Sequence, residues 1–170
     1  MLKIENVCKT FNQGTVNEKK ALIDLCLHIN PGDFITVIGG NGAGKSTMLN
    51  AVAGVYPVES GSIILDGHDI TRLPEHRRAR MLGRIFQDPM MGTAANMGIE
   101  ENLAMALRRG KCRGLGWGIT KEERELYVEK LKMLDLGLED RLKSKVGLLS
   151  GGQRQALTLL MATLQKPKVL

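Results

Sequence analysis

No apolar run in the 170-residue sequence approaches the ~18 residues that a bilayer-spanning helix needs, so no membrane span is predicted. Lys3 and Glu5 stand where a signal peptide would build its apolar core. Work at a membrane would therefore require another subunit to carry the chain there. Only three cysteines occur, Cys8, Cys26 and Cys112, and no CxxC spacing joins them. Three histidines, His28, His68 and His76, lie on scattered segments without zinc-site spacing. These absences argue against a disulfide scaffold or a structural metal site and suit a reduced compartment. There is no internal repeat and no low-complexity tail. The 24 basic residues exceed the 18 acidic ones by only +6, without a long run. The densest basic cluster, His76 to Arg80 (HRRAR), reads as a solvated helix face rather than a nucleic-acid footprint.

The length suits one domain with a real core. LKIENV and LIDLCLHI, separated by the polar stretch NQGTVNEKK, carry period-2 patterns and predict half-buried antiparallel strands. PGDFITVIG, Pro31 to Gly39, is a turn followed by a continuous apolar run, which predicts a central parallel strand. STMLNAVAGV has helical spacing and ends near Gly54; SIILDGHDI returns to strand, with Asp66-Gly67 as a hairpin turn. PEHRRARMLG predicts a helix between Pro74 and Gly83, and RIFQD a short strand. From about Pro89 the pattern turns to helix and loop. Leu103 and Leu107 share one face, and Thr120 with Glu123 forms a capping box ahead of Leu126, Leu131 and Leu134. The glycine-rich GKCRGLGWG, with Trp117, reads as a surface loop.

GGNGAGKST, Gly39 to Thr47, fits G-x-x-x-x-G-K-[ST] through Gly39, Gly44, Lys45 and Ser46. It follows a strand pattern and opens a helix pattern, which is the setting that phosphate binding requires. A triphosphate brings roughly four negative charges whose hydration must be replaced by fixed donors. Glycines let successive main-chain amides curl inward, and the helix N-terminus adds partial positive charge. Lys45 is expected to reach the β and γ phosphates, and Ser46 to offer its hydroxyl to Mg2+.

GLLSGGQRQALTLLMATLQ, Gly147 to Gln165, places two glycines in the first turn of a helix, where each costs on the order of 1 kcal/mol relative to Ala. Ser150 as N-cap and Gln153 as its reciprocal partner explain the serine and the glutamine. They leave Gly151 and Gly152 unexplained. Positions without side chains bare the amides of a positive helix end, the same anion-binding device as the first loop.

Two such motifs about a hundred residues apart resemble the ATP-binding cassette (ABC) ATPases, with GGNGAGKST as Walker A loop and LSGGQ as signature motif; ESGSIILDG and IFQD extend the resemblance along nearly the whole chain. The resemblance implies an α/β P-loop NTPase core with N-terminal antiparallel strands (1–88), a helical subdomain with the signature (89–165), and the start of a Walker B strand (166–170). It implies ATP and Mg2+ as cofactors. Gly39, Gly40, Asn41, Gly42, Ala43, Gly44, Lys45, Ser46 and Thr47 would cradle the phosphates, and Phe11 would stack on adenine. Ser150, Gly151, Gly152 and Gln153 would face the γ-phosphate held by a second copy paired head to tail. Gln87 would sense the metal alongside Ser46; Lys45 and Gln87 are the catalytic candidates. For Phe11 and Gln87 a plain structural role stays open. Gly40 replaces a common proline or serine, and Met161 a frequent arginine.

The implied partners are a second ATPase subunit, transmembrane permease subunits and an extracytoplasmic substrate-binding protein, without nucleic acid. The implied place is the cytoplasmic face of the membrane. QDPMMGTAANMGIEENLAMALRRG is similar to bacterial importers of which some are assigned to aromatic amino acids. A non-transport ABC protein acting on DNA or the ribosome, and a regulator without turnover, are the competing classes. In the family the Walker B aspartate, the following glutamate base and the switch histidine come after the position of Leu170. The 170-residue chain is therefore expected to be a fragment of a longer ATPase that binds nucleotide weakly without turning it over, and, with an apolar sheet edge and face uncovered, to aggregate or pack loosely. Multiple-turnover phosphate release by this chain, abolished in Lys45→Ala, would contradict the first expectation; a sharp cooperative melt from a monodisperse monomer would contradict the second.

Overall fold

The two period-2 segments pair as their alternation dictates. In the computed structural model, which describes residues 1–111 and 118–170, strand β1 (Leu2–Phe11) lies antiparallel to β2 (Lys19–Ile29). Strand β3 (Ser60–Leu65) pairs with the other edge of β1, and the short β4 (His68–Asp69) closes the order β2-β1-β3-β4. Asp66 (φ 49°) and Gly67 (φ 77°) form the predicted tight turn between β3 and β4. The alternation in β1 is interrupted once. Leu2 and Ile4 are buried and then Val7, because Asn6 takes a left-handed conformation (φ 48°) where the pairing with β2 shifts register.

The described residues divide into two compact units, Met1–Ala79 and Arg80–Lys168. In the first, Leu2, Ile4, Val7, Leu22, Ile63, Leu65 and Ile70 are buried with Met48 and Ala51 of helix α1 (Lys45–Ala53). Helix α1 ends at Gly54, whose left-handed φ of 86° lets its amide return to the carbonyls of the last turn. The HRRAR cluster is solvated except at one position. Helix α2 is a single turn, Glu75–Arg78, shorter than the Pro74-to-Gly83 pattern predicts, and Arg78 at its end is only 2% exposed. Its guanidinium donates to the carbonyls of Ala51 (2.8 Å), Val52 (2.9 Å), Thr71 (2.7 Å) and Leu73 (2.8 Å). Burial lowers the Arg78 pKa, and the negative C-terminal end of α1 offsets that cost.

The second unit packs α3 (Ile99–Leu107), α4 (Lys121–Lys132) and α5 (Gly151–Thr163) around Ile99, Leu103, Tyr127, Leu131, Leu138, Val146, Leu149 and Leu157. The Thr120–Glu123 capping box is present. Tyr127, not Leu126, supplies the fully buried ring of α4. Two ion pairs flank it, Arg124–Glu100 (2.8 Å) and Arg108–Glu123 (2.5 Å).

Two expected strands are not formed. Residues 33–40 take no regular structure and pair with no described strand, with Phe34 95% and Ile38 90% exposed. RIFQD is likewise irregular, and Ile85 is exposed. An apolar run becomes a strand only when neighbouring backbones complete its hydrogen bonds, and the described residues supply none. Cys112 and Trp117, with the loop expected there, lie outside the described residues. Among those described, no helix is long and apolar enough to cross a membrane.

The Tyr127 hydroxyl is buried with no hydrogen-bond partner among the described residues. Tyr127→Phe is expected to melt at or above the native temperature at pH 7, because an unsatisfied buried donor is removed. Burial first, then the Glu123 carboxylate, push the Tyr127 hydroxyl up to about 12 from an ordinary value near 10. As the pH rises the unfolded chain releases this proton before the folded one, so stability should fall between about pH 10 and pH 12. Tyr127→Phe should flatten that fall in urea titrations; identical alkaline profiles would refute the assignment.

Candidate nucleotide-binding site

The Gly39–Thr47 loop is built on the absence of one side-chain carbon. Gly44, with φ 85°, immediately precedes α1, and a Cβ there would lie 2.5 Å from the Ala21 carbonyl oxygen of β2. Only glycine fits, so the loop abuts the sheet at a fixed place. Gly42 is also left-handed (φ 82°). The Ala43 amide donates to Gly40 O (3.3 Å), and the Met48 amide begins the helical ladder on Gly44 O (2.8 Å). The amides of Gly42, Gly44, Lys45 and Ser46 have no partner among the described residues, as at any uncapped helix start. Lys45 folds back over this array. Its Nζ donates to the carbonyls of Gly39 (2.6 Å) and Gly40 (2.7 Å). Gly39 to Ala43 and Ser46 are exposed, and the Ser46 hydroxyl has no hydrogen-bond partner among the described residues.

Phe11 ends β1. Its ring meets that of Tyr56 edge-on at a centroid distance of 5.3 Å, and Lys9 Nζ stands 5.5 Å from its centroid. One side of Phe11 is thus fixed by an aromatic neighbour within the same unit.

In the second unit Ser150 caps α5 as predicted. Its hydroxyl accepts from the Gln153 amide (3.2 Å), while Gln153 Oε1 accepts from the Ser150 amide (3.1 Å). The serine hydroxyl keeps its own proton for another acceptor. Gly151 and Gly152 are exposed, and a Cβ on either would meet nothing within 4 Å. Their φ values are not in the left-handed region. Nothing among the described residues requires glycine there.

Sequence reasoning missed Arg154. Its guanidinium donates to the carbonyls of Val146 (3.3 Å), Gly147 (3.0 Å) and Leu149 (3.2 Å) and reaches Met90 Sδ, fastening the approach to the Ser150 cap. A cation in the first turn of a helix runs against the macrodipole, and that misfit was the signal for another role. Gln87 is exposed and precedes Asp88, whose carboxylate accepts from the Met90 amide (2.8 Å) at the start of the 3-10 turn Pro89–Gly92. That turn presses on α5, since a Cβ on Gly92 would fall 2.8 Å from Thr158 Cγ2. Ser46 belongs to the first unit and Gln87 to the second.

Comparison with known proteins decides the family. The ABC transporter family model matches residues 22–170. The chain belongs to the ABC transporter family. This ABC chain is 41% identical over its whole length to a tyrosine transport ATP-binding protein of Clostridioides difficile, covering 67% of that protein. It is 35% identical to the spermidine/putrescine import ATP-binding protein PotA of Haemophilus influenzae, again over its whole length but only 41% of the relative's. A solved ATP-binding cassette, a dimer in a post-hydrolysis state bound to ADP and phosphate, superposes with a TM-score of 0.80 at 31% identity, over 98% of this chain and 71% of that one. The fold class is accordingly that of the ABC ATPase cassettes.

The open space around Gly151 and Gly152 makes a direct prediction. Gly151→Ala and Gly152→Ala should each leave the melting temperature unchanged or raise stability by about 0.5 kcal/mol, the ordinary helix gain. A marked fall on calorimetry would reveal an internal contact and remove the reason for assigning these glycines to an outside ligand.

Proposed function

We propose that this chain is the ATP-binding part of a transporter's motor subunit. In this reading it holds MgATP in the Gly39–Thr47 loop, with adenine against Phe11. A second copy pairs head to tail so that its Ser150–Gln153 turn closes on the γ-phosphate. The observation that carries the reading is the pair Gly151–Gly152, two costly glycines facing open space beside a capped helix start. Tight packing within the chain does not account for them; access for a ligand does.

The chemistry follows from the loop. Lys45 now satisfies its ammonium on two neutral carbonyls. Phosphate oxygens would replace these with charged acceptors, and such charge-assisted hydrogen bonds are roughly twice as strong. The free amides of Gly42, Gly44, Lys45 and Ser46 would take the remaining equatorial oxygens. In the loop the Ser46 hydroxyl is the hard donor that would hold Mg2+, which accepts few protein ligands and keeps several waters; Gln87, in the other unit, carries an amide oxygen of the same hard character. When bound, the ion neutralises charge on the β- and γ-oxygens. Ser150 would donate its free hydroxyl proton across the dimer.

The tyrosine and spermidine/putrescine relatives both serve transport, which favours that class over work on DNA or the ribosome. An amino acid, of the aromatic class, is the proposed cargo, with permease subunits and an extracytoplasmic binding protein as partners at the cytoplasmic membrane face.

Sedimentation velocity tests the pairing. With ATP and Mg2+ under conditions that block hydrolysis, the full-length protein should sediment as a dimer, and Lys45→Ala and Gly151→Asp should each return it to monomer. A native protein that stays monomeric at saturating ATP would overturn the proposal.

A further inference from the structure

The hairpin of β1 and β2 brings a second ammonium to the loop. Phe11 and Lys19 are direct cross-strand partners where the two strands enter the hairpin loop, so their side chains share one face of the sheet. Two positions further on, Ala21 is the residue whose carbonyl abuts Gly44, and Leu22 Cδ2 would lie 3.4 Å from a Cβ on Gly44. Strand β2 is therefore pinned to the loop, and Lys19 is carried there with it. A Cβ built on Gly42 would lie 3.5 Å from Lys19 Nζ.

The charges around Lys19 are unbalanced. Among the described residues its ammonium makes no ion pair and no hydrogen bond. Lys9, on the Phe11 side, has Glu59 at 3.6 Å. Glu18 is the acidic residue nearest in sequence, and its carboxylate accepts from the Gly14 amide (2.8 Å) within the hairpin loop. Lys20 is the partner of Thr10, and successive strand residues point to opposite faces. Two ammonium groups, Lys19 and Lys45, thus converge on one loop of unpaired amides without a carboxylate to neutralise them. Like charges held together repel unless an anion comes between them.

Resting on the nucleotide reading above, we propose that Lys19 is a nucleotide-binding residue that contacts the phosphates nearest the adenosine. Its position assigns the contact. A nucleotide laid from the Phe11 ring to the loop passes the cross-strand partner of Phe11 before it reaches Lys45, which is fastened at Gly39 and Gly40. Lys19 thereby serves the α and β phosphates, which ATP and ADP share, and Lys45 the β and γ. The contact lies outside the G-x-x-x-x-G-K-[ST] pattern, so it is a property of this sequence rather than of the motif.

Calorimetric titration of the full-length protein with ATP, ADP and adenosine tests the assignment. Lys19→Gln should weaken ATP and ADP alike by about five-fold, the size of one partly exposed charge contact. Adenosine binding should not change, and the salt dependence of ATP affinity should become shallower. Lys19→Arg should restore affinity, and Lys20→Gln should match the native protein. Unchanged ATP and ADP affinities in Lys19→Gln, beside lost binding in Lys45→Ala, would overturn the Lys19 assignment and leave the nucleotide reading standing. Equal weakening in Lys19→Arg and Lys19→Gln, or a parallel loss of adenosine binding, would also overturn it. A native protein that binds no ATP would overturn the parent reading.

Discussion

The site depends on one close approach, that of the Gly44 α-carbon to the Ala21 carbonyl. The absence of a Cβ lets the loop rest on β2 and fixes where α1 begins. It also determines which amides point outward and where the Lys45 stem rises. A methyl group at Gly44 would collide with main chain on a paired strand, which cannot yield as a flexible side chain can. The loop would have to lift, and the amide array with it.

Two arginines apply a common principle in the two units. Arg78 gathers the carbonyls of Ala51, Val52, Thr71 and Leu73, and Arg154 gathers those of Val146, Gly147 and Leu149. In each case a planar guanidinium serves several fixed acceptors at once, which a point-charge ammonium does less well. One clasps the C-terminal end of the helix that follows the Gly39–Thr47 loop. The other clasps the approach to the Ser150 cap. Neither forms a direct ion pair among the described residues; for the buried Arg78, main-chain dipoles and the nearby charge of Asp69 offset the loss of hydration.

Local chemistry and the antiparallel hairpins were legible in the sequence; the neighbours of the continuous apolar runs were not. The Gly39–Thr47 loop, the Ser150–Gln153 and Thr120–Glu123 boxes and the Asp66-Gly67 turn are each written within a few residues, and each forms as its residue types require. The Pro31–Gly39 strand failed because a strand is a relation between segments, and apolar composition does not provide the neighbour. Arg78 was misread for a similar reason. A basic run on a short helix looks solvated until the carbonyls of Ala51 and Val52, far away in sequence, are brought beside it. Tyr127 was overlooked in favour of Leu126 because a one-residue phase error on a helix rotates the apolar face by about 100°. The two glycines of α5 were anomalous in the sequence and stay anomalous within the folded chain, so their explanation lies outside it.

The bare segment around Phe34 and Ile38 carries a cost during biosynthesis. A ribosome adding roughly 5–20 residues per second exposes this greasy, unpaired ribbon many seconds before residue 170 emerges. Throughout that interval its open amides are available to any β-edge from a neighbouring nascent chain.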